Sequence, residues 1–143
     1  MKKLFISFIG LIALLTGCNQ GASSEDIANL AYEWEKANFD RDYEQQQKYI
    51  YEEGSYEAYK GDEKIDSGLK YGDIRYEIYF DERIERYYIF TDFKNPNGEN
   101  SVEDNIVLRK KDEEWKVDTS ESLDIVRKDI SEKFAREACI NCK

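Results

Sequence analysis

DIRYEIYF, residues 73–80, is where the chain changes its period. Ile74, Tyr76, Ile78 and Phe80 alternate with Arg75, Glu77, Tyr79 and Asp81, and a repeat of two places successive side chains on opposite faces of a β-strand. IERYYIFTDF, residues 84–93, predicts a second strand, joined to the first by a tight turn around Asp81-Glu82-Arg83. Beyond a loop marked by Asn95-Pro96-Asn97-Gly98, residues 104–109 and 114–118 predict a closing hairpin across Lys111-Asp112-Glu113. Ile106, Leu108, Trp115 and Val117 are expected to point inward.

Upstream of this meander the period is helical. Ser23-Ser24-Glu25-Asp26 sets a hydroxyl and an acid at capping-box spacing, which marks a helix start. Ile27, Leu30, Ala31, Trp34 and Ala37 then recur at three and four residues, so one stripe faces a core. A second helical segment carrying Tyr43, Gln46, Gln47 and Ile50 runs to about Glu53 and stops at Gly54. Residues 55–60 read as a short first strand before the turn at Gly61-Asp62. A last helix is expected from Asp118 or Thr119, with Leu123, Val126, Ile130, Phe134 and Ala138 along one side. Helices, then an antiparallel meander, then a helix define an α+β domain: N-terminal helices packed on a curved antiparallel β-meander, with a C-terminal helix.

The first residues belong to a different physical regime. Lys2 and Lys3 precede an apolar segment, residues 4–15, interrupted only by Ser7 and Gly10. As a helix it would cover roughly 18 Å, short of the roughly 30 Å hydrocarbon layer. A basic start, a short apolar run and then small residues form a secretory signal pattern. Leu15-Thr16-Gly17-Cys18 resembles the lipobox of bacterial lipoproteins. That resemblance implies a diacylglycerol on the Cys18 sulfur, cleavage before Cys18 and further acylation of the new amine. Two acyl chains give stable anchoring where one is reversible, at about 0.8 kcal/mol per buried methylene. The expected organisation is a removed signal peptide at 1–17, a lipidated cysteine and short linker at 18–23, and one domain over 24–143. The linker, residues 19–23, reaches at most about 17 Å.

Loss of residues 1–17 from the 143 leaves 126 residues and removes two lysines, which takes the side-chain balance from −10 to −12. An acidic surface argues against nucleic acid as a partner, because phosphate tracking needs clustered Lys and Arg. Eleven Tyr, two Trp and seven Phe, two of them in the signal, supply more aromatic area than a disordered acidic chain carries. The absence of histidine removes Ser-His-Asp and Cys-His nucleophile activation and most catalytic zinc ligand sets. No catalytic residue, metal ligand or cofactor is assigned. The turn carboxylates Asp81, Glu82, Glu85, Asp112, Glu113 and Glu114 read as solvated groups, and the 95–103 loop fails the calcium pattern because Phe93 falls where the first carboxylate belongs.

The lipobox, the Trp-bearing first helix, the Tyr-rich meander and the closing Glu114-Trp115-Lys116-Val117-Asp118 together resemble small Gram-positive lipoproteins with a cystatin-like, or nuclear-transport-factor-like, fold. The resemblance spans roughly residues 24–118 and rests on order and pattern. It implies a concave sheet face that serves as a pocket in some members and as a partner surface in others, and it suggests an exclusion or immunity role.

Two features remain open. Cys139-Ile140-Asn141-Cys142 is a CxxC motif that closes a helix, where the helix dipole disfavours a thiolate. A structural or incidental pair, a regulatory disulfide and a thiol-disulfide helper are the alternatives. Tyr87-Tyr88-Ile89-Phe90 is apolar at every position, so a large ring must lie on the sheet face away from the inner stripe. Either the second or the C-terminal helix covers that face, or Tyr79, Tyr88 and Phe90 form an exposed partner-binding patch. The expected function is a non-enzymatic binding or interaction module, lipid-anchored on the extracytoplasmic side of the cell membrane and engaging a protein partner at the envelope, with a small-ligand carrier as the alternative.

Overall fold

The structure, a computed structural model, describes residues 22–143. Helix α1 (Ser24–Phe39) opens with the expected capping box: Ser23 accepts the Asp26 amide, and Asp26 accepts the Ser23 amide. Helix α2 (Tyr43–Tyr49) follows after a short turn. Four strands then form the meander, β1 (Arg75–Asp81), β2 (Arg86–Lys94), β3 (Ser101–Lys111) and β4 (Glu114–Val117). Two short helices, α3 (Thr119–Asp124) and α4 (Arg127–Lys133), precede a fifth strand, β5 (Arg136–Ile140). The sheet is antiparallel with order β4-β3-β2-β1-β5, so the fold is α+β.

Helix α1 lies on one face of the sheet. Ala28 and Ala31 are fully buried and present no side chain beyond Cβ, which lets the helix approach closely while Ile27 and Trp34 fill the space on either side. Tyr76, Ile78, Tyr87, Ile89, Phe93, Ile106 and Leu108 complete this core from the strands. Helix α1 runs the length of the sheet. Its start sits beside Tyr87, whose hydroxyl donates to the Ala22 carbonyl, and its end places Phe39 edge-on to Phe93 at 5.3 Å.

The other face carries a second core. Tyr79, Tyr88, Phe90 and Val107 are buried beneath Ile130 of α4, and Phe134 stacks on Tyr88 at 5.7 Å. An ion network bolts α4 down. Arg127 donates to Asp92 at 2.6 Å, lies 3.5 Å from Glu77, and holds its guanidinium 5.3 Å from the Phe90 ring. Arg75 bridges Asp92 and Glu77 from within β1. Burial raises the Asp92 carboxyl pKa, but the Arg127 and Arg75 contacts outweigh it and hold the carboxyl below its usual range.

Two expected elements come out differently. Residues 55–60 form turns, and the sheet edge beside β1 is taken by β5 from the far end of the chain. The helix expected from residue 118 onward is present but broken. Val126 and Phe134 are extended, and residues 136–140 pair with β1 through Ala138↔Ile78 and Cys139↔Glu77. Leu123 and Val126, 87% and 56% exposed, point to solvent, while Ile130 is buried. The extended cap residues shift the phase, so no single helical stripe links 123 to 138.

Ile130→Ala is therefore expected to lower the unfolding free energy by about 2–4 kcal/mol, the range for deleting a buried aliphatic side chain. Leu123→Ala should change it by less than about 0.5 kcal/mol. Urea denaturation of the two variants checks the contrast, and equal losses would contradict the broken helix.

Candidate functional site

Strand β4 ends at Val117, which leaves the first half of β3 without a strand partner along that edge. Helix α3 and its flanks satisfy part of it: the Asp118 amide donates to Val107 O at 2.8 Å and the Val107 amide donates to Ser122 Oγ at 2.9 Å, while the Asn105 side-chain amide donates to Ile125 O at 3.1 Å and ties the end of α3 to the strand. Between this edge and the end of α1 opens a pocket of about 210 Å³. Trp34, Tyr56, Val117 and Leu123 supply its apolar wall, and Asn38, Ser55, Asp104, Thr119, Ser120 and Ser122 supply polar groups. The Trp34 and Tyr56 rings meet at 5.3 Å. Ser55 and Thr119 share a hydrogen bond of 3.1 Å that ties the 50–60 segment to α3.

A buried acid stands behind this pocket. Glu35 is 1% exposed and sits on the core-facing side of α1, one turn beyond Ala31 and two beyond Ala28. Its Oε1 accepts the Thr91 hydroxyl at 2.8 Å, while Oε2 has no hydrogen-bond partner. Burial pushes the Glu35 pKa up to about 8, and the nearby Asp104 charge adds to the rise; the Thr91 bond opposes both. Asp104 lies across from Thr91 in the β2–β3 register. Its surface touches solvent through the pocket mouth, yet protein crowds its carboxyl, and this desolvation raises its pKa against the Asn105 amide bond. Next to them Gln46, fully buried, donates to Asn38 at 2.7 Å.

Neither Glu35 nor Asp104 stands out in the sequence. Glu35 is one of four acids on α1, and only its spacing from Ala28 and Ala31 could have placed it inward. The turn carboxylates stay apart from this site. Asp81 is held by Arg83, Glu85 by Lys110 and Glu114 by Lys116.

Tyr79, Tyr88 and Phe90 are together, as their spacing implies, but they do not form an open patch. Helix α4 buries all three, which corrects the exposed-surface expectation and realises the alternative of a covering C-terminal helix. Cys139 and Cys142 are joined in a disulfide with Cα atoms 5.7 Å apart. They stand at the end of edge strand β5 and not in a helix, because Phe134 ends α4 and the chain turns to pair with β1. Cys18 and its linker up to Gly21 lie outside the described residues. Among the described residues, no group of three or more Cys, Asp or Glu side chains is placed to hold a metal, and no helix is long and apolar enough to cross a membrane.

Residues 1–19 match the prokaryotic membrane lipoprotein lipid attachment site. Cys18 is the one cysteine within that match. The chain is thus a bacterial lipoprotein, anchored by lipid to the cell membrane on its extracytoplasmic side. No curated protein and no solved structure matches it.

The buried acid has a measurable consequence. In the folded chain Glu35 keeps its proton to about pH 8, whereas the unfolded side chain releases it near 4.5. The folded state therefore binds more protons between these values, so stability falls as pH rises through that window and levels off above it. Since there is no histidine, few other groups titrate between pH 6 and 8. The melting temperature is expected to drop by several degrees over that interval, and Glu35→Gln should remove at least half of the drop. An identical slope in the variant would show that Glu35 is ionised throughout.

Proposed function

We propose that this lipoprotein is a non-catalytic binding module, a single cystatin-like domain over residues 24–143 left after removal of a signal at 1–17, that captures a protein partner at the envelope through the pocket beside Trp34. The observation that carries this reading is the exposed, apolar Leu123 on the rim of a small polar-lined pocket. A volume of about 210 Å³ falls below the roughly 300–1,000 Å³ usual for small-molecule sites. It suits one projecting side chain of a partner better than a carried ligand. Asp104 at the mouth and the Ser and Thr hydroxyls favour a donor-rich group, such as an Arg, Lys or Gln tip, with Trp34 and Tyr56 against its stem.

The resemblance to cystatin-like lipoproteins of Gram-positive bacteria is supported by a helix laid across an antiparallel meander. An exclusion or immunity role fits a tethered module of this kind and rests on that resemblance alone. A thiol-disulfide helper is less favoured, because Cys139 and Cys142 end an edge strand and lack the helix N-terminus that activates a thiol. A carboxylate enzyme is disfavoured too, since Glu35 is enclosed and does not reach the pocket wall.

Capture from solubilised membranes with the wild-type domain, Leu123→Asp and Asp104→Asn tests the reading. Both substitutions lie at exposed positions, so the fold should hold. Each is expected to lower recovery of a specific partner at least tenfold, whereas Val126→Asp, outside the pocket lining, should lower it less. Recovery unchanged by either pocket variant would sink the assignment.

A further inference from the structure

The chain leaves the described domain toward Cys18 at a fixed point. Ala22 is half-buried, and its carbonyl accepts the Tyr87 hydroxyl at 3.3 Å. Tyr87 stacks on Phe80 at 4.4 Å and meets Trp115 edge-on at 4.8 Å. A surface groove beside Ala22 is walled by Leu30, Tyr49, Glu114 and Trp115. Ala22 is therefore at the end of the sheet that carries the β1–β2 and β3–β4 turns, residues 82–85 and 112–113. It lies four residue steps from Cys18, a reach of at most about 14 Å. A domain of this length has a radius of gyration of about 14 Å, so the tether is too short for the domain to invert and set the opposite end of the sheet on the bilayer with the Ala22 end held away.

Charge points the same way. Segments 81–86 and 110–116, with Glu25, Asp26 and Lys48 beside Ala22, hold six basic and eight acidic residues, a balance of −2. The mature chain carries −12, so most of the acidic excess lies elsewhere. Within this end the charges pair: Arg83 with Asp81 at 3.0 Å, Lys110 with Glu85 at 2.9 Å and Lys116 with Glu114 at 2.9 Å. Anionic headgroups would repel the rest of the domain and leave this end nearly unaffected. Ile84, at the tip of the β1–β2 turn, is 52% exposed. The Lys110 ammonium sits 5.4 Å from the half-buried Trp115 ring, and a ring with a polar edge and a snorkelling cation suits the membrane interface.

We propose that the hairpin end of the sheet, through Ile84, Arg83 and Trp115, rests on the phospholipid headgroups of the bilayer that holds the anchor, and so aims the Trp34 pocket away from the membrane. The inference rests on lipid anchorage. Asn38, at the pocket, lies fourteen residues along α1 from Ser24, about 21 Å farther from the bilayer if the helix stands upright.

The two tryptophans make the geometry testable. The full-length lipidated protein is reconstituted in phosphatidylcholine–phosphatidylglycerol vesicles containing a lipid with a nitroxide on its headgroup. Trp34→Phe leaves Trp115 as the only emitter, and Trp115→Phe leaves Trp34. Trp115 emission is expected to be quenched at least threefold more than Trp34 emission, and Ile84→Asp, an exposed substitution that should not disturb folding, should cut the Trp115 quenching by about half. Protein that floats with the vesicles while both tryptophans are quenched equally, or not at all, overturns the docked orientation and leaves the anchor intact. Protein that does not float removes the anchor, and the orientation with it.

Discussion

The close contact of helix α1 with the sheet is what the rest of the molecule depends on. Two alanines, Ala28 and Ala31, bring the helix axis near the strands, and large rings from Trp34, Tyr76, Tyr87 and Phe93 fill the flanks. Apolar area removed from water stabilises this layer at about 25 cal/mol per Å². The same contact gives the domain a direction. The helix begins at Ser24, a few residues from the lipid attachment site, and ends at Phe39 beside the pocket-lining Asn38. One rigid element thus spans from the tether to the candidate binding site.

The second face solves a different problem. Strands β1 and β2 are apolar on both sides, and an uncovered Tyr79–Tyr88–Phe90 surface would invite aggregation. Helix α4 is only seven residues long, too short to hold its shape in water by propensity. Its place is secured by Ile130 and Phe134 from below and by Arg127 reaching Asp92 and Glu77. Half-exposed ion pairs stabilise weakly one by one. Here several share two acids and gain from mutual positioning. The cation over Phe90 adds to the hold.

Much of this was legible from residues alone, and the failures have physical causes. Period two at 74–81 and the apolar run at 87–90 revealed the central strands, and the doubly apolar run left open whether the second face is covered by a helix or exposed as a partner patch, which helix α4 decides. Ser23 and Asp26 marked the helix start to the residue. The last strand was hidden because Ile130, Phe134 and Ala138 share helical spacing, while the decision to pair Ala138 with Ile78 is made by an open sheet edge many residues away. Leu123 and Val126 misled for the same reason, since a stripe assumes one unbroken helix. Glu35 was missed because burial of an acid is a tertiary event: Thr91 and Asp104 come from strands more than fifty residues distant.

Lipid attachment gives these features their setting, for a short tether turns the asymmetry of the domain into an orientation at the cell surface. The most direct measurement is the intact mass of the protein purified from membranes. It should correspond to residues 18–143 with a diacylglycerol and an amide-linked acyl chain, less two hydrogen atoms for the Cys139–Cys142 disulfide. A chain that begins at Met1 with an unmodified Cys18 thiol would contradict anchorage, and the tethered orientation would fall with it.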